Sequence, residues 1–327
     1  ALALVDSLHS AIQFNGKNIR NLCPVKGGSY INGPNMYFLS NRNLSAENDT
    51  LFLVEITNSL GSNAMTRNVK LCFSPFHYFL PPTARQDSNA LKQPIFLQTN
   101  DSRVLGSFLH NGQIQFVQNT MDTSTGLAAI YHGTMKNIGS NTPQVTAHLI
   151  SDDQLDFGYP NISFSGSHIN YSGLSEGENE SIISFCHTSP TVYAGMSAVY
   201  YGNTGTYSSL INVKTGEGYI DQIPMTAYER WGDYSGSQRK YNEPGKVWIA
   251  STFGKSTKKY GTWIAELGSP DSVRIKPEDP DVILFPNPTK DILSLNFILD
   301  AGKTLKFNIY YMQGKLVKNL LEEFSKA

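Results

Sequence analysis

Residues 104–118 read VLGSFLHNGQIQFVQ, and the fold class turns on this stretch. Two apolar runs, Val104 to Leu109 and Gln113 to Gln118, flank the dipeptide Asn111-Gly112. Both of those residues tolerate positive φ, which the tightest hairpin turns require, so the stretch predicts an antiparallel hairpin. The same patterning extends outward, from about residue 30 to residue 266. Asn35 to Leu39 (NMYFL) leads through a polar loop to Thr50 to Ile56 (TLFLVEI). Ser181 to Phe185, Met196 to Tyr201, Tyr207 to Val213, Lys246 to Thr252 and Thr262 to Leu267 are further short runs of β-branched and aromatic residues between turn residues. No stretch carries a sustained 3.6-residue apolar stripe, so the chain is expected to be all-β.

A faint internal repeat refines that expectation. An Asn or Asp recurs at Asn35, Asp101, Asn161 and Asp233, at intervals of 66, 60 and 72 residues. Behind it comes an apolar strand, then usually a second strand that opens on Gly, as in Gly126-Leu-Ala-Ala-Ile-Tyr, Gly195-Met-Ser-Ala-Val-Tyr and Gly261-Thr-Trp-Ile-Ala-Glu. Such periods suggest radially repeated sheets, each burying a face against the next. The expected architecture for residues 1–267 is therefore a β-propeller of four to six blades. The last blade looks a strand short, and Ala11 to Phe14 could complete it by closing the ring. A β-sandwich with look-alike strands is the alternative.

Composition narrows the function classes. Among 327 residues only 16% are charged, while 11% are aromatic, with 17 Tyr and 17 Phe; pleated surfaces favour such side chains. A formal net charge of -1 supplies no general attraction for nucleic acid or anionic membrane. Cys23, Cys72 and Cys186 have no second Cys or His at zinc spacing and are expected to be buried free thiols, one disulfide being the alternative. No apolar run approaches the ~20 residues that span a bilayer. Ala1 to Ser7 is too short, and lacks the basic flank, to read as a signal peptide.

Residues 268–281 (GSPDSVRIKPEDPD) mix Pro with acidic residues and carry no apolar pattern, which is a linker signal. Beyond it, Val282 to Phe285, Ile292 to Phe297, Thr304 to Tyr311 and Lys315 to Leu321 predict a second, smaller β module. Here the motifs are Phe285-Pro286-Asn287-Pro288-Thr289, then Asp291-Ile-Leu-Ser-Leu, then Phe307-Asn-Ile-Tyr-Tyr-Met-Gln-Gly314-Lys315-Leu-Val317. Two prolines fix φ on either side of an Asn turn, and Gly314 frees the backbone for a reversal. This order resembles the type A sorting domain of type IX secretion cargo.

The resemblance implies a small Ig-like β-sandwich that directs export across the outer membrane of Bacteroidetes-type bacteria. Pro286, Asn287, Pro288, Thr289, Gly314 and Lys315 would be read by the translocon and its outer-membrane β-barrel shuttle (PorV-type). The domain would then usually be cleaved. Family members continue to an L-x-x-G-x-Y strand and a basic terminal strand, so a module ending at Ala327 is expected to be incomplete.

The larger region has a second resemblance. Glu229-Arg230-Trp231-Gly232-Asp233-Tyr234-Ser235-Gly236, with Val247-Trp248 and Gly261-Thr-Trp263 after it, is similar to a blade of secreted sialidase-like propellers. Asp152-Asp153 to Asp156-Phe-Gly-Tyr-Pro-Asn161 resembles another blade opening. That resemblance implies arginines that grip a carboxylate, as planar guanidinium groups do. The candidates are Arg42, Arg103 and Arg230, with Asp101, Asp233, Glu229 and Tyr234 as acid, base or nucleophile. The repeated S-x-D-x-G-x-T-W box of true sialidases is absent. The ligand-binding candidates are thus Arg42, Asp101, Arg103, Arg230, Trp231, Asp233 and Tyr234, with no catalytic residue assigned.

Metal and cofactor signals are weak. The seven histidines form no HExxH, which leaves His132 and His187 without partners at ligand spacing. Asp152, Asp153 and Asp156 do not make an EF-hand loop; a looser calcium site there is the alternative to a solvated acidic turn. No phosphate loop, nucleophile elbow or dinucleotide fingerprint is present, and no cofactor is implied. Asp6-Ser7-Leu8, Asp49-Thr50-Leu51 and Asp271-Ser272-Val273 fit a D-[ST]-apolar O-glycosylation pattern.

These readings together predict a secreted or cell-surface cargo protein, associated with the outer membrane, whose propeller is a binding or adhesion module for a glycan or other surface ligand. The alternatives are a sialidase-like glycoside hydrolase, or a structural component retained on the secretion or gliding machinery.

Overall fold

The computed structural model describes residues 12–28, 35–57, 66–87, 94–166, 179–223, 225–233 and 235–269, together with the backbone of four strands between 282 and 323. The chain divides into two compact units, Ala1–Ser272 and Val273–Ala327.

The first unit begins with β1 (Gln13–Phe14), β2 (Lys17–Asn18), β3 (Cys23–Pro24), β4 (Lys26–Gly27), β5 (Met36–Asn41), β6 (Glu47–Thr57), β7 (Thr66–Phe79) and β8 (Phe96–Gln98). It continues with β9 (Val104–His110), β10 (Gln113–Met121), β11 (Ala128–Lys136), β12 (Gln144–Ile150), β13 (Asp156–Phe164) and β14 (Ser181–Ser189). It ends with β15 (Val192–Tyr201), β16 (Ile211–Lys214), β17 (Tyr228–Arg230), β18 (Gly236–Arg239), β19 (Lys246–Gly254) and β20 (Tyr260–Gly268). Every regular element among the described residues is a strand.

Neighbours in sequence pair antiparallel, which gives four successive meanders: β3-β5-β6-β7, β9-β10-β11-β12, β13-β14-β15-β16 and β18-β19-β20. β4 joins the second sheet as a parallel partner of β9, and β8 pairs parallel with β17. The hairpin read from residues 104–118 is present. His110 lies opposite Gln113, and Asn111 and Gly112 turn the chain at φ 47° and 69°, the two left-handed positions of a two-residue turn.

Alternation along each strand points one set of side chains at the next sheet, and the cores form in series. Leu39, Leu51, Leu53 and Cys72 of the first sheet meet Ile114, Phe116, Tyr131 and Met135 of the second. Phe108, Val117 and Ile130 meet Phe157, Ile162, Ile183 and Phe185 of the third. Ile182, Met196 and Ala198 then meet Val247 and Ile249 of the fourth. At about 25 cal/mol per Å² of apolar surface, each buried aromatic or aliphatic side chain contributes about 1.5–3 kcal/mol before entropy is counted.

Several details depart from the sequence reading. Among the described residues four sheets stand side by side, and no strand closes them into a ring. Phe14 does not complete the last sheet. It pairs with Lys17 in the β1–β2 hairpin and packs 5.7 Å from Phe52 on the first sheet. Asn161 does not open a strand but sits inside β13, where the register with β14 shifts between Gly158 and Asn161. Tyr207 meets Tyr201 only in an isolated bridge, so regular pairing on that side begins at Ile211. The cysteines, by contrast, are as expected: all three are buried free thiols.

The second unit holds two antiparallel pairs, β21 (Val282–Phe285) with β22 (Ser294–Phe297), and β23 (Thr304–Tyr310) with β24 (Leu316–Glu323). Pro286, Asn287, Pro288, Thr289, Gly314 and Lys315 lie outside the described residues, as do residues 270–281 of the expected linker.

Candidate ligand-binding site

The first strands of neighbouring sheets lie against one another, and their polar side chains meet there. Lys26 on β4 is the knot. Its Nζ donates to Asn161 Oδ1 at 3.2 Å, Ile162 O at 2.8 Å and Ser163 Oγ at 3.1 Å on β13, and to Ser237 O at 2.8 Å on β18. Ser237 Oγ in turn donates to Asn161 Oδ1 at 2.9 Å. One ammonium thus ties the second, third and fourth sheets, and burial pulls its pKa down to about 8. Three donors can serve several acceptors, so a lysine suits a crowded junction of carbonyl groups.

Beside this knot lie most of the charged candidates. Asp101 is 4% exposed. It accepts from Arg103 N and Nε at 2.9 and 2.7 Å on one oxygen, and from Arg103 Nη2 and Asn43 Nδ2 at 2.7 and 2.6 Å on the other. The bidentate grip keeps Arg103 charged, reinforced more weakly by Tyr159 and Asp233 nearby. Asp233 is itself held by Arg230, with Nε at 2.8 Å and Nη2 also donating to the same oxygen.

Tyr159 links the two pairs. It is buried and takes φ 51°, a conformation rare for a bulky side chain that costs on the order of 1–3 kcal/mol. The surroundings hold it there: Asn119 Oδ1 accepts from its N–H at 2.9 Å, and its hydroxyl donates to Gln98 O at 2.7 Å. Burial and then the Asp233 charge push the phenol well above its ordinary range. It is a donor here, not a nucleophile at neutral pH.

The structure sorts the sequence candidates as follows. Asp101, Arg103, Arg230 and Asp233 come together around Tyr159. Arg42 does not join them: its guanidinium lies 4.7 Å from the Phe52 ring and its Nη1 donates to Asn18 O at 3.1 Å. Trp231 is 2% exposed and meets Tyr159 edge-on at 6.2 Å, so its ring belongs to the core and offers no open face to a sugar. Glu229 is also buried, accepting from Gln222 N and Ile223 N at 2.8 and 2.6 Å, and shapes a loop. Tyr234 lies outside the described residues.

Sequence reasoning passed over Lys26 and Tyr159 and read Asn161 only as a repeat marker. The unusual Gly158-Tyr-Pro-Asn161 run was the available signal for the last two.

The acidic residues 152–156 do structural work. Asp152 accepts from Gln154 N and Leu155 N, and Asp156 takes Arg85 Nε at 2.6 Å and Ala128 N at 3.2 Å. No group of three or more His, Cys, Asp or Glu among the described residues could hold a metal ion. His132 is enclosed by Tyr207 and Gln115. His187 bonds Ser197 Oγ at 2.7 Å. Both carboxylates at the junction have their charge answered by arginine, so the arrangement suits binding and holding more than proton transfer.

Comparison with known proteins assigns the C-terminus. Residues 283–326 match the family model described as a secretion system C-terminal sorting domain, which indicates export through type IX secretion. No curated protein matches the chain. Among solved structures, a point mutant of the Synechocystis apocarotenoid oxygenase is 11% identical with a TM-score of 0.31, the match covering 78% of this chain and 60% of that one. The cobalt-substituted form of that oxygenase has a TM-score of 0.33 at 11% identity, over 77% and 60%. The Pseudomonas brassicacearum lignostilbene dioxygenase has 0.29 at 10%, over 76% and 61%. The chain thus spans about 60% of the first of these proteins, and likeness at this level assigns it neither a fold nor a chemistry.

Proposed function

We propose that the protein is a type IX secretion cargo delivered to the cell surface, where its sheet array works as a binding or adhesion module. The observation that carries this reading is the sorting-domain match at residues 283–326 on a chain whose junction carboxylates are neutralised by neighbouring arginines. In the same reading the four meanders are blades of a propeller, whose loops gather on one face while stacked sheets hold them rigid. The C-terminal module engages the translocon and a PorV-type β-barrel shuttle, and the mature protein stays associated with the outer membrane. Arg230, exposed and paired with the half-buried Asp233, is the part of the junction offered to a surface ligand, backed by Arg103 and Asp101.

The test is deletion of residues 282–327. Loss of surface delivery, with the protein retained in the periplasm, is expected; delivery at the level of the full chain would overturn the export role of the tail. A glycan panel on the full chain, scored for binding and for released sugar, tests the other half. Binding without release is expected, whereas release would establish a hydrolase instead.

A further inference from the structure

The β1–β2 hairpin and the turn after β5 line an open cleft of about 630 Å³, joined to the Asp101 end of the polar junction through Asn43. Lys17, Arg20 and Arg42 line it, and among the described residues no aspartate or glutamate does. None of the three forms an ion pair among the described residues, although the whole chain carries a net charge of -1. Three cations gathered without a counter-charge repel one another, and an anion between them relieves that repulsion.

The Arg42 wall is pre-organised. Arg42 is braced from below by the Phe52 ring and from the side by Asn18 O. Its backbone N–H donates to Tyr78 Oη at 3.0 Å. Asn41 is fixed through Nδ2 to Ser102 O at 2.6 Å and Gln118 Oε1 at 2.9 Å. Asn43 is fixed to Asp101. Ser40 Oγ donates to Arg20 O at 2.5 Å, which anchors the backbone at that arginine. Held side chains lose little entropy on binding, which favours affinity.

We propose that this cleft binds an acidic saccharide, its carboxylate or sulfate lodged between Lys17, Arg20 and Arg42 and its hydroxyls facing the exposed amides of Gln13 and Asn18. Among the described residues the lining is amide-rich with Leu44 its one large apolar side chain, which suits a hydroxylated ligand and not an acyl chain or an aromatic cofactor. The inference rests on the binding role proposed above and adds a location and a ligand class to it.

Calorimetric titration of the full chain tests it. The probes are trigalacturonate for the carboxylate, a sulfated dextran oligomer for the sulfate, neutral dextran of the same length, and inorganic phosphate. Binding of at least one acidic oligomer is expected, weakening as salt rises from about 20 to 300 mM, with neutral dextran unbound. Lys17→Gln with Arg20→Gln should weaken it by roughly tenfold or more; both side chains are exposed, so the variant should keep its thermal midpoint. Lys136→Gln, on β11, should leave binding unchanged. The proposal is overturned if neither acidic oligomer binds, if phosphate alone binds as tightly as the oligomers, or if the double variant binds undiminished. That last result would leave a binding role standing at another surface.

Discussion

Tyr159 and Gly232 illustrate how one residue's geometry depends on another's. A Cβ at Gly232 would lie 2.4 Å from the Tyr159 ring, and Gly232 itself takes φ 71°. Gly232→Ala therefore forces either the ring or the backbone to move, and should destabilise the protein by about 1–3 kcal/mol. A urea titration followed by Trp fluorescence would read it through Trp231, which packs against the same ring. An unchanged midpoint would mean that Tyr159 is not held as described. Arg230 and Asp233, both read from the sequence as ligand-binding candidates, pair with each other here. Whether Trp231 or Glu229 is exposed depends on Ala84, Leu97 and Ile220, residues distant in the chain that no local pattern brings together.

At the scale of elements, the hairpin of β9 and β10 makes a local demand. Gly112→Val places a β-branched side chain at φ 69° and should cost about 1 kcal/mol or more, seen as a lowered thermal midpoint with an unaltered β signature by circular dichroism. A wild-type midpoint would show that the turn has relaxed to another type. This element was legible because turn and strands sit within 15 residues. β7 was harder to read: Thr66–Phe79 carries Pro75 and polar residues on both faces, and its pairing with β6 comes from the sheet rather than from its own pattern. β13 reads like a turn, with Gly158 and Pro160, yet it is a bulged edge strand, where a missing N–H is tolerated. The sorting module was legible for the opposite reason. Its Pro-Asn-Pro and Gly-Lys motifs are punctuation that can be read without knowledge of packing.

At the scale of the whole molecule, three neutral histidines make the fold sensitive to acid. Burial depresses His110 and His187 to about 4 and His132 to about 3, the last helped by His148 and His110 also by Arg239. The unfolded chain protonates them near 6.5, so between pH 6.5 and about 4 it binds more protons than the folded one. Stability is full above 6.5 and falls as pH drops through that window, each group approaching about 1.4 kcal/mol per pH unit. The urea midpoint should therefore be lower at pH 5 than at pH 7, and His132→Gln should reduce the difference. Equal midpoints at the two pH values would place these rings in contact with water.

The knot at Lys26 also sets a clock. Its farthest partner, Ser237, lies 211 residues downstream. At a ribosomal pace of about 5–20 residues per second, Lys26 waits roughly 10–40 s before that partner exists. The hairpins of the first and second sheets can form in that interval, but the junction cannot lock until nearly the whole of the larger unit has been made. A chain bound for export therefore stays unlocked through most of its own synthesis, which leaves time for carriers to engage it before it becomes rigid.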